Sequence, residues 1–418
     1  MGNLIYSTIR KGLLLSLQIL IILSCAKTSI EIPEQKSDAF RTEDQIRNIA
    51  VNAFEKFYGN TKSEARVSLI SGITLKSATQ SDSLFYVVNF DENGGFVIVG
   101  ARKVFPEVIA ICNKGNYLGI PTDNPGFNFY IDSIEESLSQ LLSMQSEDYS
   151  VGRGTITETI TTSIDPMVEG VWHQHEPFNL LCPTIRDTLC PTGCVPLAMA
   201  MAISKYEYPT TLSVTFPDAA ISSIGLEWDD MKSETGNHGL TCDICKEKAH
   251  LLRELGYRLN VSYSPTGSSA QTSNIVSCLT SLGFTSSYYN SFDINSVDAS
   301  LTAYRPVVIR GQKTVNGVVR GHAWVIDGEE HTKTTTIVSQ KINGMMTIVT
   351  TEHDTYYLHF NFGWGGSYDG YFLSWDGYTY TSNNGMTPPT NPNIIVSCFS
   401  GAPGYTTNVR IIPHIRQS

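Results

Sequence analysis

The segment Thr192-Gly193-Cys194-Val195-Pro196-Leu197-Ala198-Met199-Ala200-Met201-Ala202-Ile203 leaves this chain little freedom. From Val195 to Ile203 every residue is apolar or proline, so a helix here has no polar face and must be buried on nearly all sides. Pro196 fits only the first turn, where its missing N–H has no intrahelical partner. The helix therefore starts at or just before Cys194. A thiol in that position meets the positive end of the helix dipole and unpaired backbone N–H groups, which favour thiolate. The same N–H groups can hold a developing oxyanion. The plainer alternative is that Cys194 is a small core residue or half of a disulfide.

A chain of 418 residues exceeds what one hydrophobic core usually supports, which points to a leader plus two folded units. With 41% apolar and 17% charged residues it reads as an ordinary globular protein. Its net charge of -11 gives no basic footprint for nucleic acid, which is excluded as the main partner. Residues 1–25 carry Arg10 and Lys11, then an apolar run from Leu13 to Leu23, then Ser24-Cys25, the pattern of an export signal. The run is too short to span a bilayer. Its Ile-Leu-Ser-Cys ending resembles a bacterial lipoprotein box, which would attach the chain to a membrane through a lipidated Cys25. The alternative is an ordinary cleaved signal. Either way the expected location is the bacterial cell envelope or the medium outside it.

Export permits disulfides. Cys182, Cys190, Cys242, Cys245, Cys278 and Cys398 could form three bridges in any of 15 connectivities, with Cys182 and Cys190 the natural first pair.

Thr42 opens a capping box with Gln45, and Ile46, Ile49, Ala50, Ala53, Phe54 and Phe57 follow at helical spacing. Leu84–Phe90 and Phe96–Val99 flank Asp91-Glu92-Asn93-Gly94-Gly95 and predict a hairpin. A second one-faced helix is predicted over Ser133–Met144. These elements make a small α+β unit over residues 26–144. Residues 145–164 turn polar and rich in Thr, Ser and Gly, predicting a linker and the place of any maturation cut. The second unit, 165–418, has helices first and antiparallel strands later, so its class is also α+β.

A base for Cys194 must come from elsewhere in the chain. Arg305–Arg310 reads as a strand, Asn316-Gly317 as a turn, and Val318–Asp327 as the return strand, on which His322, Trp324 and Ile326 share a face. Taken singly, such a histidine is more often a satisfied core residue than a catalyst. The strand Tyr357–Phe362 runs into Gly363-Trp364-Gly365-Gly366, where Asn361 could orient an imidazole and Trp364 shield it from water. The alternative is a structural turn with an aromatic plug.

Taken together in this order, the Gly-Cys-Val helix ending in Lys205-Tyr206 and Tyr208-Pro209, the strand Gly321-His322-Ala323-Trp324-Val325-Ile326-Asp327-Gly328, and the turn Asn361-Phe362-Gly363-Trp364-Gly365-Gly366 resemble the streptopain family of papain-like cysteine peptidases. Smaller echoes lie at Gln174, Pro177, Asn179 and Leu180, at Tyr263–Ala270, and at Arg305-Pro306-Val307. The resemblance covers roughly residues 165–385. It implies a papain-like catalytic domain behind a small α+β prodomain, with Cys194 as nucleophile and His322 as base. It further implies Gln174 with the Cys194 N–H as oxyanion hole, Asn361 as orienter and Trp364 as cover. Residues Phe90–Val99 are similar to the family's pro-region, so the N-terminal unit is expected to act as an intramolecular inhibitor. Protein or peptide substrates are implied, and no cofactor or metal.

Four departures stand out: Phe362 where the family often has Trp, Pro196 where a small residue is usual, more cysteines, and an insertion over residues 329–353. Two rival readings remain. His238, Cys242, Cys245 and His250 could be read as a zinc site, although a second cysteine pair is lacking. The whole chain could also be a non-catalytic surface lipoprotein that keeps the scaffold as a binding or protease-inhibitor module.

Overall fold

Helix α1 (Glu43–Tyr58) forms where the capping box predicts it: the Thr42 hydroxyl accepts from Gln45 N–H, and the Gln45 side chain accepts from Thr42 N–H. Its apolar stripe, Ile46, Ala50, Ala53 and Phe54, is buried against strands β2 (Asp82–Phe90), β3 (Phe96–Gly100) and β4 (Val108–Cys112). The computed structural model describes residues 39–59, 70–79, 82–90, 93–144, 156–233, 236, 238–315, 318–342, 345–382, 394–397, 399 and 408–418. The leader with Cys25, the Asn316-Gly317 turn, Cys398 and residues 145–155 of the linker lie outside them.

The predicted hairpin is present, with β2 paired to β3 antiparallel and β1 (Ile70–Thr79) on the far side of β2. The second helix, α2 (Pro125–Met144), begins eight residues before its predicted start. Asn124 is the reason: its buried side-chain oxygen accepts from the N–H groups of Gly126 and Phe127, both at 3.0 Å, and Pro125 follows at the first helical position. An Asn124→Ala change should cost about 1 kcal/mol, seen as a lower denaturant midpoint for the full chain. An unmoved midpoint would show that the cap contributes nothing.

The C-terminal half supplies helices α3 (Cys194–Ser204), α4 (Asp243–Arg258), α5 (Asn274–Ser281) and α6 (Ile294–Thr302). Strands β6 (Val307–Val315), β7 (Val318–Ile342), β8 (Met345–Asn361), β9 (Gly370–Ser382), β10 (Ile394–Ser397) and β11 (Arg410–Ile412) follow. One sheet of 11 strands runs β1-β2-β3-β4-β9-β8-β7-β6-β11, with β10 on β9 and β5 (Ile156–Ile164) on β7. The junction is β4 against β9, where Cys112 pairs with Gly370 and Ala110 with Phe372. Thr42–Ser418 thus forms one compact α+β unit around this 11-stranded antiparallel sheet.

Strand alternation divides the core. Trp324 and Ile326 of β7 enter a cluster with Phe127, Tyr130 and Phe362, roofed by α2. Ala323 and Val325, on the opposite face, enter a second cluster with α3, α4 and α5. Every residue of α3 from Val195 to Ser204 is buried, as its unbroken apolar run requires.

Three expectations change. The linker is not irregular throughout: Ile156–Ile164 is a strand paired along β7 from Ile337 to Glu329, with Thr159 and Thr161 bonded across to Thr334 and Thr332 at 3.1 and 3.2 Å. The 329–353 insertion is the far end of a long β7–β8 hairpin, pairing Glu329 with Leu358 and Ile342 with Met345. Cys182 and Cys190 are not bridged, and Cys112, Cys194, Cys245 and Cys278 are likewise free thiols. Cys182 is engaged by the Tyr263 hydroxyl, and Cys242 caps α4 by accepting the Cys245 N–H at 3.4 Å. Export chemistry allows disulfides in general, but these sulfurs have other local work.

Candidate active site

Cys194 stands at the first position of α3, behind Gly193, whose φ of 89° suits glycine. A side chain on Gly193 would also meet the Ser268 carbonyl at 3.0 Å, so the backbones touch here. The Ser268 hydroxyl donates to the Pro191 carbonyl at 2.6 Å and fixes the approach to the helix, giving the Tyr263–Ala270 motif a positioning role. Burial pushes the Cys194 thiol up, opposed by hydrogen bonds from the N–H groups of Ala323, Cys194 and Val195 and by the nearby Arg310 charge. Desolvation outweighs the helix terminus in this arrangement.

The sulfur thus lies at the amide of the residue after His322, which is fully packed on the other face of β7. The His322 ring is near parallel to Trp324, at 13° and 6.2 Å, and Trp364 meets it edge-on at 5.9 Å. Its Nε2–H donates to the Phe362 carbonyl at 2.9 Å. Burial pulls its pKa down to about 4, despite that hydrogen bond. Asn361 lies one residue from the acceptor, yet its side-chain oxygen takes the Gly363 N–H at 3.0 Å. The structure therefore brings Cys194, His322, Asn361 and Trp364 to one place, with the imidazole bonded to a main-chain carbonyl rather than to the thiol or the amide.

Helix α2 packs directly against this ring. Gly126, in its first turn, abuts the imidazole so closely that an added Cβ would lie 2.7 Å from His322 Cδ2 and 2.5 Å from Phe362 Cδ1. Gln174 is buried, and its main-chain carbonyl accepts from Thr192 N–H at 2.9 Å. The Trp364 turn is tied to the same segment by Gly365 N–H donating to the Trp172 carbonyl at 2.9 Å. Asp369 accepts from Phe362 N–H at 2.8 Å and is pushed up to about 7 by burial. Gly126, Arg310, the Phe362 carbonyl and Asp369 were not singled out from sequence, because none sits in a local motif. Among the described residues, His238, Cys242, Cys245 and His250 do not bring three ligand atoms together, and His250 Nδ1 bonds the Lys246 carbonyl at 2.8 Å within α4.

Comparison with known proteins decides the family. Residues 172–372 match the Peptidase C10 family, and residues 39–138 match the Spi protease inhibitor family. The chain carries a Peptidase C10 domain over residues 172–372. Streptopain of Streptococcus pyogenes is 26% identical over 330 residues, covering 70% of this chain and 74% of its own. The thiol protease/hemagglutinin PrtT of Porphyromonas gingivalis is 25% identical over 79% of this chain, which spans 38% of PrtT. Among solved structures, a prointerpain A fragment of Prevotella intermedia covers 82% of this chain and 98% of its own at a TM-score of 0.51 and 19% identity, a likeness of fold. Like that fragment, this C10 chain is a papain-like α+β fold behind an N-terminal prodomain, and it is a cysteine peptidase.

Proposed function

We propose that this chain is the precursor of an exported cysteine endopeptidase, with Cys194 as nucleophile and His322 as general base, held latent by its own prodomain. The observation that carries the reading is the juxtaposition at β7: a thiol heading the buried helix α3, an imidazole one residue from the amide it touches, and α2 wedged against that imidazole. With α2 withdrawn, His322 is free to turn its Nδ1 towards Cys194 and its Nε2–H from the Phe362 carbonyl to Asn361 Oδ1, under Trp364.

In that arrangement the imidazole takes the thiol proton and the thiolate sulfur attacks the scissile carbonyl. Gln174 and the Cys194 N–H hold the oxyanion. The imidazolium then protonates the leaving amine, and water, deprotonated by the same imidazole, hydrolyses the thioester. Protein substrates and export, with or without a lipid on Cys25, fit the leader-like N-terminus and the relatives. The rival, a non-catalytic binding or inhibitor module, is disfavoured because no group the chemistry needs is missing.

A thiol-directed peptide epoxide separates the two. It should label Cys194 rapidly after the prodomain has been removed and slowly in the intact chain, as read by peptide mass mapping. A processed chain that stays unlabelled and hydrolyses no peptide in a mixed library would leave the binding-module reading standing.

A further inference from the structure

Away from the cleft, one cluster of side chains has the make-up of a metal site. Glu329 and His331 are two residues apart on β7 and so project from one face, and Asp298 of α6 meets them there. Each of the three offers a ligand atom, and those atoms lie within 4.8 Å of one another. Glu329 is only 2% exposed, and its Oε2 is buried without a hydrogen-bond partner. Two carboxylates brought together out of water call for a cation between them. Two neighbouring ammonium groups are engaged elsewhere, Lys56 with Glu330 at 2.5 Å and Lys333 with Glu352 at 2.9 Å.

The imidazole is held as a metal ligand is held. His331 Nε2–H donates to Asp354 Oδ1 at 2.8 Å, and the ring stacks on Tyr356 at 3.9 Å and 9°. With Nε2 committed to a carboxylate, Nδ1 keeps its lone pair, the outer-shell pattern of a metal-bound histidine. Two carboxylates and one imidazole nitrogen suit a borderline divalent cation better than calcium or magnesium, which prefer all-oxygen shells.

We propose that Asp298, Glu329 and His331 bind a divalent transition cation, zinc being the best match, with Asp354 positioning the imidazole and water completing the coordination. The ion ties α6 to the root of the inserted hairpin, the same stretch on which β5 is paired through Ile164 and Thr162. It is a structural clamp, separate from the peptidase chemistry.

The test is zinc content by mass spectrometry on the full-length chain, loaded with zinc and dialysed, beside Asp298→Asn, His331→Gln, Asp354→Asn and a Cys242→Ser/Cys245→Ser variant. One zinc per chain is expected in the parent and in the cysteine variant. Loss is expected in Asp298→Asn and His331→Gln, and an affinity weakened by about 10- to 100-fold in Asp354→Asn. Cobalt loading should give bands without thiolate charge transfer. Asp298 is half-exposed, so Asp298→Asn should keep the parent's circular dichroism and lose the zinc-induced rise in melting temperature. A folded parent that retains no zinc would overturn the site. So would zinc retained undiminished in both Asp298→Asn and His331→Gln.

Discussion

Cys194→Ala and His322→Ala should each lower kcat of the processed enzyme by on the order of 10⁶-fold, and the double variant should be no slower than either single one. Nucleophile and base act as one unit, so once either is gone the other has nothing left to contribute. Neither change should threaten the fold. Cys194 lies at the head of α3, where alanine is a good helix former, and the cluster beneath the helix rests on Leu197, Met199 and Met201. Steady-state hydrolysis of a peptide substrate, with the variants cut by an added protease because they cannot mature themselves, checks this. Undiminished turnover by Cys194→Ala would remove the nucleophile assignment, and additive losses in the double variant would show that His322 serves something other than this thiol.

The parts of the molecule that local sequence decides were legible. Pro196 and Gly193 set the start of α3, Thr42 and Gln45 set the start of α1, and alternation placed His322 beside Trp324. What escaped depends on partners far along the chain. β5 looks like linker because polar Thr and Ser dominate it, yet its β-branched Thr and Ile suit an extended strand once β7 offers an edge some 170 positions later. The early start of α2 had a local signal, Asn124-Pro125, that the apolar period outweighed. The hydrogen bond from His322 to Phe362 O had none, for it joins a strand to a turn forty positions on, beneath a helix from the N-terminal unit.

That displacement should make latency sensitive to acid. Beneath α2, burial holds His322 near pKa 4, against about 6.5 when the ring is exposed, and the positive end of α2 also disfavours a charged ring. The depressed group favours the closed state above pH 6.5. As pH falls from 6.5 towards 4, the released ring takes a proton that the trapped ring refuses, and closure is progressively lost. At pH 5 the open population should rise roughly twentyfold relative to pH 7. Asp369, pushed up to about 7 by burial, bonds the Phe362 amide and has Lys114, Asp327 and His359 rather than α2 as its charged neighbours, so it keeps its proton whether α2 is docked or withdrawn and does not oppose this dependence. Hydrogen exchange over residues 125–131 of a Cys194→Ala precursor, which cannot process itself, reads the opening directly. Exchange, corrected for its intrinsic pH dependence, should accelerate with acid, and a further His322→Asn change should remove that acceleration. Gly126→Val, whose side chain cannot fit against the imidazole and Phe362, should open α2 at neutral pH without acid. Exchange that is flat with pH in the parent, or protection unchanged in Gly126→Val, would mean that α2 does not hold the histidine away from the thiol.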